Sequence, residues 1–296
     1  LTAHSFNLPW WVSESLGPAK WVGTDYWNRP LTEEELGRDR VQGLDGVKAY
    51  LPAYGQAIVS AEDLQHNIGG EFDKNQAGLW EITVPEWPHP LLPSPVNVPA
   101  GQLTVVSTAI VQMYMDLGME DQIVIHQRWT GKRKNLQGFR DWYQIVWKAL
   151  RELEAGPVDE KRRPLDPDDG VLWDCLKGLY RRLHGKLRAK GQKVIRRGDW
   201  GIAVRDAAWT NMLRKVYKAG GLLRLAETNA FTERPMYPVK MDHDEAVYVV
   251  SGSGTVIPDG MKEGFGLGEF RVHTTDDLAA WLSAPAQKGM GEITNG

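Results

Sequence analysis

Cysteine is nearly absent from this 296-residue chain: Cys175 is the only one, which excludes an internal disulfide and any cysteine-based zinc site, and fits a reducing compartment. No apolar run approaches the roughly 18 to 20 residues that cross a bilayer, and no basic-then-apolar signal segment opens the chain. These absences predict a cytoplasmic protein with no membrane partner. Internal repeats and low-complexity tracts are missing as well. There is no bulk excess of one charge, since the net charge of −3 argues against a protein that is basic all over. The chain opens at Leu1 rather than Met, which reads as a segment of something longer.

What is present is an ordinary globular composition, 42% hydrophobic and 25% charged, long enough for one large domain or two smaller ones. Thirteen tryptophans are unusual, and suit either core packing or stacking on bases or sugars. Charge is unevenly spread: nine Lys and Arg residues, from Lys177 to Arg197, are interrupted by no acid. Such a block attracts phosphate, although a solvated helix face gives the same pattern.

Periodicity predicts an α+β chain, with one antiparallel sheet covered on one face by helices. Strands are expected near 41–45, 78–84, 122–129, 237–250 and 268–273. Residues 104–118 have helical spacing, as do 136–155, 171–191 and 199–219. The stretches 136–155 and 171–191 flank a polar, proline-containing turn and read as an antiparallel helical hairpin. Residues 85–99 carry six prolines and must be an extended loop. Residues 1–40 read as an irregular Trp- and Pro-rich segment, and 276–296 as a flexible tail.

Two short stretches carry candidate chemistry. In YPVKMDHDEAVYVV, only DHDE separates two strand-like runs, so Asp242 and Asp244 fall at a hairpin tip. Aspartate is a common turn residue, and the tip alone does not imply a metal. Asp45, however, ends the strand-like VQGL just where the chain turns toward a helix. Carboxylates at the ends of neighbouring strands can converge, and Mg²⁺ requires a few such oxygens with water and phosphate supplying the rest.

In that arrangement LDGVKAYL (44–51) resembles motif A of family B DNA polymerases, an Asp followed five residues on by Tyr, here Asp45 and Tyr50. CLKGLYRRLHGKL (175–187) resembles motif B, with Lys177 and Gly185 in register, and MDHDE (241–245) resembles the Asp-any-Asp hairpin of motif C. The three follow the family's order. HPLLPSP (89–95), the WT of HQRWTG (126–131) and GDWGIAVRDAAWTNMLRKVYKAG (198–220) are similar to actinobacterial telomere-associated, plasmid and phage replication proteins. The resemblance implies a polymerase palm (41–130 and 192–275) with a helical-hairpin fingers insertion (131–191). It implies nucleotidyl transfer assisted by two Mg²⁺ ions, or Mn²⁺, roughly 4 Å apart. Asp45 and Asp244 would be the main ligands, with Asp242 in support. Lys177, with Arg181 one turn on, would neutralise the incoming triphosphate, and Tyr50 would exclude a 2′-hydroxyl. Expected partners are a DNA primer-template, deoxynucleoside triphosphates and a terminal or other replication protein.

Several residues depart from the family pattern: Lys48 and Leu51 in motif A, Arg181, Arg182 and His184 in motif B, His243 and Glu245 in motif C. Two rival readings follow. One is a catalytically silent, polymerase-like DNA- or telomere-binding protein that uses only the basic helix. The other is a carbohydrate-active enzyme, for which paired carboxylates would lie roughly 5 to 9.5 Å apart across a cleft. Lys132, Arg133 and Lys134 are candidates for nucleic-acid backbone contact. Trp142, Trp147 and the face Trp209, Leu213 and Val216 are expected to be packing residues.

Overall fold

A computed structural model describes residues 26–134, 137–188 and 197–284. Lys190, Lys193 and Arg196 of the basic block, and the first 25 residues of the Trp-rich segment, lie outside the described residues.

Two antiparallel sheets replace the single sheet expected. The first has the order β1 (Tyr26–Asn28), β8 (Lys240–Asp242), β9 (Glu245–Val250), β2 (Arg40–Gly46), β10 (Phe270–Asp277). The second has the order β3 (Val59–Ser60), β7 (Val124–Lys134), β5 (Gln76–Thr83), β6 (Leu103–Ser107), with β4 (Gln65–Ile68) also pairing to β7. The extra sheet exists because β7 is 11 residues long, enough to pair with three partners.

Three further expectations need correction. Residues 26–40 are ordered: β1 joins the first sheet, and Thr32 and Glu35 form a reciprocal capping box at the start of α1 (Glu33–Leu36). Glu35 is also buried against Arg29, whose guanidinium donates to it at 2.6 and 2.7 Å. The segment 104–118 is not all helix: the β-branched run Thr104, Val105 and Val106 extends as β6, and α3 (Thr108–Asp116) begins only after Ser107. The expected tail begins with the end of β10 and with α7 (Leu278–Ser283), capped by Asp277.

The helical elements otherwise fall where periodicity places them. α4 (Gln137–Leu153) and α5 (Pro167–Arg188) form the hairpin, and α6 (Gly198–Ala219) is the long helix that follows. Between β2 and β3 the short α2 (Tyr50–Gln56) packs on all three. α6 joins two cores. Trp209, Met212, Leu213, Val216 and Tyr217 pack with the strands of both sheets. One to three turns earlier, Ala203, Val204 and Ala207 pack with α2 and the hairpin, where Trp142 and Trp147 also sit. The proline-rich loop is pinned by buried donors: Trp209 Nε1 reaches Pro95 O at 3.0 Å and the Tyr217 hydroxyl reaches Pro93 O at 2.8 Å. Those two bonds tie the long helix to the proline-rich loop.

Candidate active site

Strand pairing builds the site. β2 and β9 pair so that Asp45 faces Glu245, and the β8–β9 connection is only two residues, His243 and Asp244. So tight a connection demands unusual backbone, and His243 takes φ 56°, a left-handed conformation that histidine tolerates better than most side chains. The Gly46 N–H donates to Asp244 O at 2.8 Å. A side chain at Gly46 would come within 3.2 Å of that oxygen, so glycine permits the hairpin tip to lie against the end of β2. On the other side β10 places Arg271 directly opposite Asp45, and its guanidinium donates to Asp45 Oδ2 at 2.7 and 2.9 Å.

Asp45, Tyr50, Lys177, Arg181 and Asp244 line one pocket, although the sequence separates the first and last by two hundred residues. Asp242 is not among its lining residues. That side chain is 41% exposed and hydrogen-bonded to His243 Nδ1 at 2.7 Å. Tyr50 opens α2 at the pocket's edge, and Lys177 and Arg181 come from one face of α5.

The electrostatics are uneven. Burial first, and then the nearby Asp45 charge, push the Asp244 carboxyl up to about 6. Burial also lowers the Lys177 ammonium to about 8, with repulsion from Arg181, Arg271 and Lys48 adding to it and Glu154 opposing it. The Lys177 Nζ lies 4.1 Å from the centre of the Trp173 ring. Six Lys and Arg residues line the pocket against three carboxylates, which favours an anion of several charges.

Sequence reasoning missed Glu154, Arg162, Trp173, Phe265 and Arg271, all of which line the pocket. Glu154 and Arg162 belong to the turn between α4 and α5, which composition marks only as polar. Lys48, singled out as a departure from motif A, makes a buried ion pair with Glu154 at 2.9 Å, the two side chains 8% and 5% exposed. Lys132 and Lys134 lie on the exposed end of β7, away from the pocket lining. Among the described residues, no group of three or more His, Cys, Asp and Glu side chains is gathered as for a metal ion, and no helix is long and apolar enough to cross a membrane.

No protein-family profile and no curated protein matches the sequence. Solved structures do match in fold. Phi29 DNA polymerase complexed with primer-template DNA and incoming nucleotide substrates has a TM-score of 0.51 at 13% identity, covering 86% of this chain and 46% of that one. The same enzyme with primer-template DNA, in a post-translocation binary complex, gives a TM-score of 0.55 at 11% identity, covering 93% and 48%. Its orthorhombic crystal form gives 0.53 at 10% identity, covering 92% and 49%. This chain thus spans about half the length of phi29 DNA polymerase and shares the fold of that part.

Proposed function

We propose that this chain is the palm and fingers core of a family B-like DNA polymerase, serving replication of a phage, plasmid or linear replicon of actinobacterial type. The observation that carries the reading is the single pocket lined by Asp45, Tyr50, Lys177, Arg181 and Asp244, residues taken from three motifs in the family's order. In this reading the first sheet with α6 is the palm and the α4–α5 hairpin the fingers.

The residues present fit divalent cations of the Mg²⁺ type. Asp45 and Asp244 offer only oxygen, and the Asp244 carboxyl, raised by burial first and by the Asp45 charge second, is one whose ionisation a cation between them would favour. Asp242 would assist from the rim. Bound there, Mg²⁺ ions would activate the attacking 3′-hydroxyl and offset charge on the leaving pyrophosphate. Lys177 and Arg181 neutralise the triphosphate, whose phosphates tolerate close approach only when cations face them. Tyr50 stands under the sugar and excludes a 2′-hydroxyl. To hold a metal, Asp45 would have to give up its pair with Arg271, whose guanidinium would then be available to phosphate. A DNA primer-template, deoxynucleoside triphosphates and a terminal or other replication protein are the partners this reading assigns.

A second reading has its own support. Arg271 already neutralises Asp45, an arrangement suited to a protein that keeps the fold for DNA binding without catalysis. Primer extension with Mg²⁺ and deoxynucleotides, comparing wild type with Asp45→Ala and Asp244→Ala, separates the two. The polymerase reading expects extension by the wild type only. The silent reading expects none from any of them, with salt-dependent DNA binding unchanged in Asp45→Ala. Equal extension by all three would refute the assigned site.

A further inference from the structure

Lys48 stands where the resembled family carries a small residue, and a cation in that place would intrude on the pocket unless it were restrained. It is restrained. Its backbone takes φ 53° after β2, and its ammonium is bound by both oxygens of Glu154, at 2.9 and 3.0 Å, across the gap to the turn after α4. Glu154 Oε1 also accepts the indole N–H of Trp173 at 2.8 Å, a buried contact. Against the face of that indole rests the Lys177 ammonium. The Glu154 backbone is fixed in turn, since its carbonyl accepts from the Arg162 guanidinium at 2.8 Å.

We propose that Glu154 is a positioning residue of this pocket: by binding Lys48 and the Trp173 indole together, it holds the ring against which Lys177 is oriented toward the substrate triphosphate. The ligand named here rests on the polymerase reading; the chain of contacts does not. An indole N–H locked by a carboxylate cannot swing, and a locked ring presents its face to one ammonium in one place, which is where a cation–π contact gains most. The same carboxylate neutralises Lys48, so that Lys48 does not compete with Lys177 and Arg181 of α5 for phosphate. Removing Glu154 alone would confuse the two roles, because it also strands Lys48 in a buried position.

The test therefore uses variants with balanced charge. Lys48→Met/Glu154→Gln keeps an acceptor for the indole, and Lys48→Met/Glu154→Leu removes it. Each is assayed for primer extension, giving KM for the deoxynucleoside triphosphate and kcat separately. Each is also assayed without DNA, for the pH midpoint at which Lys177 is acetylated, read by peptide mass spectrometry. Arg181, Arg271 and Lys48 lower the Lys177 ammonium and Glu154 raises it, so both double variants remove one opposing pair of charges and leave Arg181 and Arg271 in place. The Gln variant should stay within about two-fold of wild type in KM, with an unchanged labelling midpoint. The Leu variant should raise KM about ten-fold with kcat little changed, and move the midpoint upward as Lys177 leaves the ring for water. Trp173→Leu should reproduce the Leu variant and guards against misfolding of the double variants. Identical behaviour of the Gln and Leu variants, or a wild-type profile for Trp173→Leu, would overturn the proposal. If the wild type extends no primer, the polymerase reading falls while the labelling comparison still decides the role of Glu154.

Discussion

Replacing Asp244 by Asn should make the protein more stable and abolish its proposed activity, and the first effect can be worked out from the structure. The Asp244 carboxyl is raised from 3.8 to about 6, by burial first and by the Asp45 charge second. A carboxyl with a raised folded-state value contributes stability that is fully present below its unfolded value, near pH 4, and lost as pH rises through about 6. Two pH units correspond to about 3 kcal/mol, and the residual solvent access of the side chain reduces this to about 1 to 2 kcal/mol. Asn at this position carries no charge, and the backbone bond from Gly46 N–H to the residue 244 carbonyl is retained. The variant should therefore melt about 2 to 8 °C above the wild type at pH 8, and the difference should shrink toward zero near pH 4. Millimolar Mg²⁺ should narrow the gap at pH 8 by stabilising the wild type alone. Scanning calorimetry at several pH values, with and without Mg²⁺, gives all three numbers. An Asn variant less stable than the wild type at pH 8, or a difference that ignores pH, would refute the electrostatic account of the pocket.

Three other substitutions probe separate parts of the molecule. Tyr50→Val should raise incorporation of ribonucleotides relative to deoxynucleotides by about a hundred-fold, measured by competing single-nucleotide extension; an unchanged ratio would remove Tyr50 from its assigned place under the sugar. Glu35→Ala strands the buried Arg29 and should cost about 3 to 5 kcal/mol in urea unfolding, whereas a loss below about 1 kcal/mol would mean that the pair contributes little. Arg271→Gln frees Asp45 and should lower the Mg²⁺ concentration that half-stabilises the protein about ten-fold, while lowering the melting temperature in metal-free buffer. A Mg²⁺ response identical to that of the wild type would favour the silent reading.

How much of this was legible in the sequence differs by element. The amphipathic helices α4 and α5 follow from spacing alone, because a buried stripe leaves a 3.6-residue period that no other structure needs, whereas α6 is buried on most of its surface and is marked in the sequence by its closing glycines. The hairpin tip at 242–245 was equally legible, since four polar residues between two apolar runs admit little else. The capping box of Thr32 and Glu35 was visible as T-x-x-E, yet the surrounding Trp, Pro and charge concealed a helix of only four residues. The β6 residues also satisfy a helical period, because Val105, Val106, Ile110 and Val111 fit either one, and only pairing with β5 decides for the strand. The partner of Lys48 could not be seen at all. Glu154 lies 106 residues on, in a turn whose composition announces solvent, and only the hairpin's position over α2 brings it inside.

The arrangement of charge also weighs the rival readings against one another. A glycosidase needs one carboxyl held protonated and a second one free to act as base or nucleophile. Here Asp244 is raised, which suits the first role, but Asp45 is neutralised by Arg271 and Glu154 by Lys48, so the second is taken. Once those two pairs are set aside, Lys161, Arg162, Lys177 and Arg181 face a single carboxyl whose own ionisation is resisted. A neutral sugar has nothing to offer such an excess, whereas a triphosphate or a nucleic-acid backbone does. Crowding of like charge is already written into Lys177, whose ammonium is lowered by burial and then by three neighbouring cations. A pocket without an anionic ligand would be maintaining that repulsion to no purpose, and a bound polyphosphate would reverse its sign.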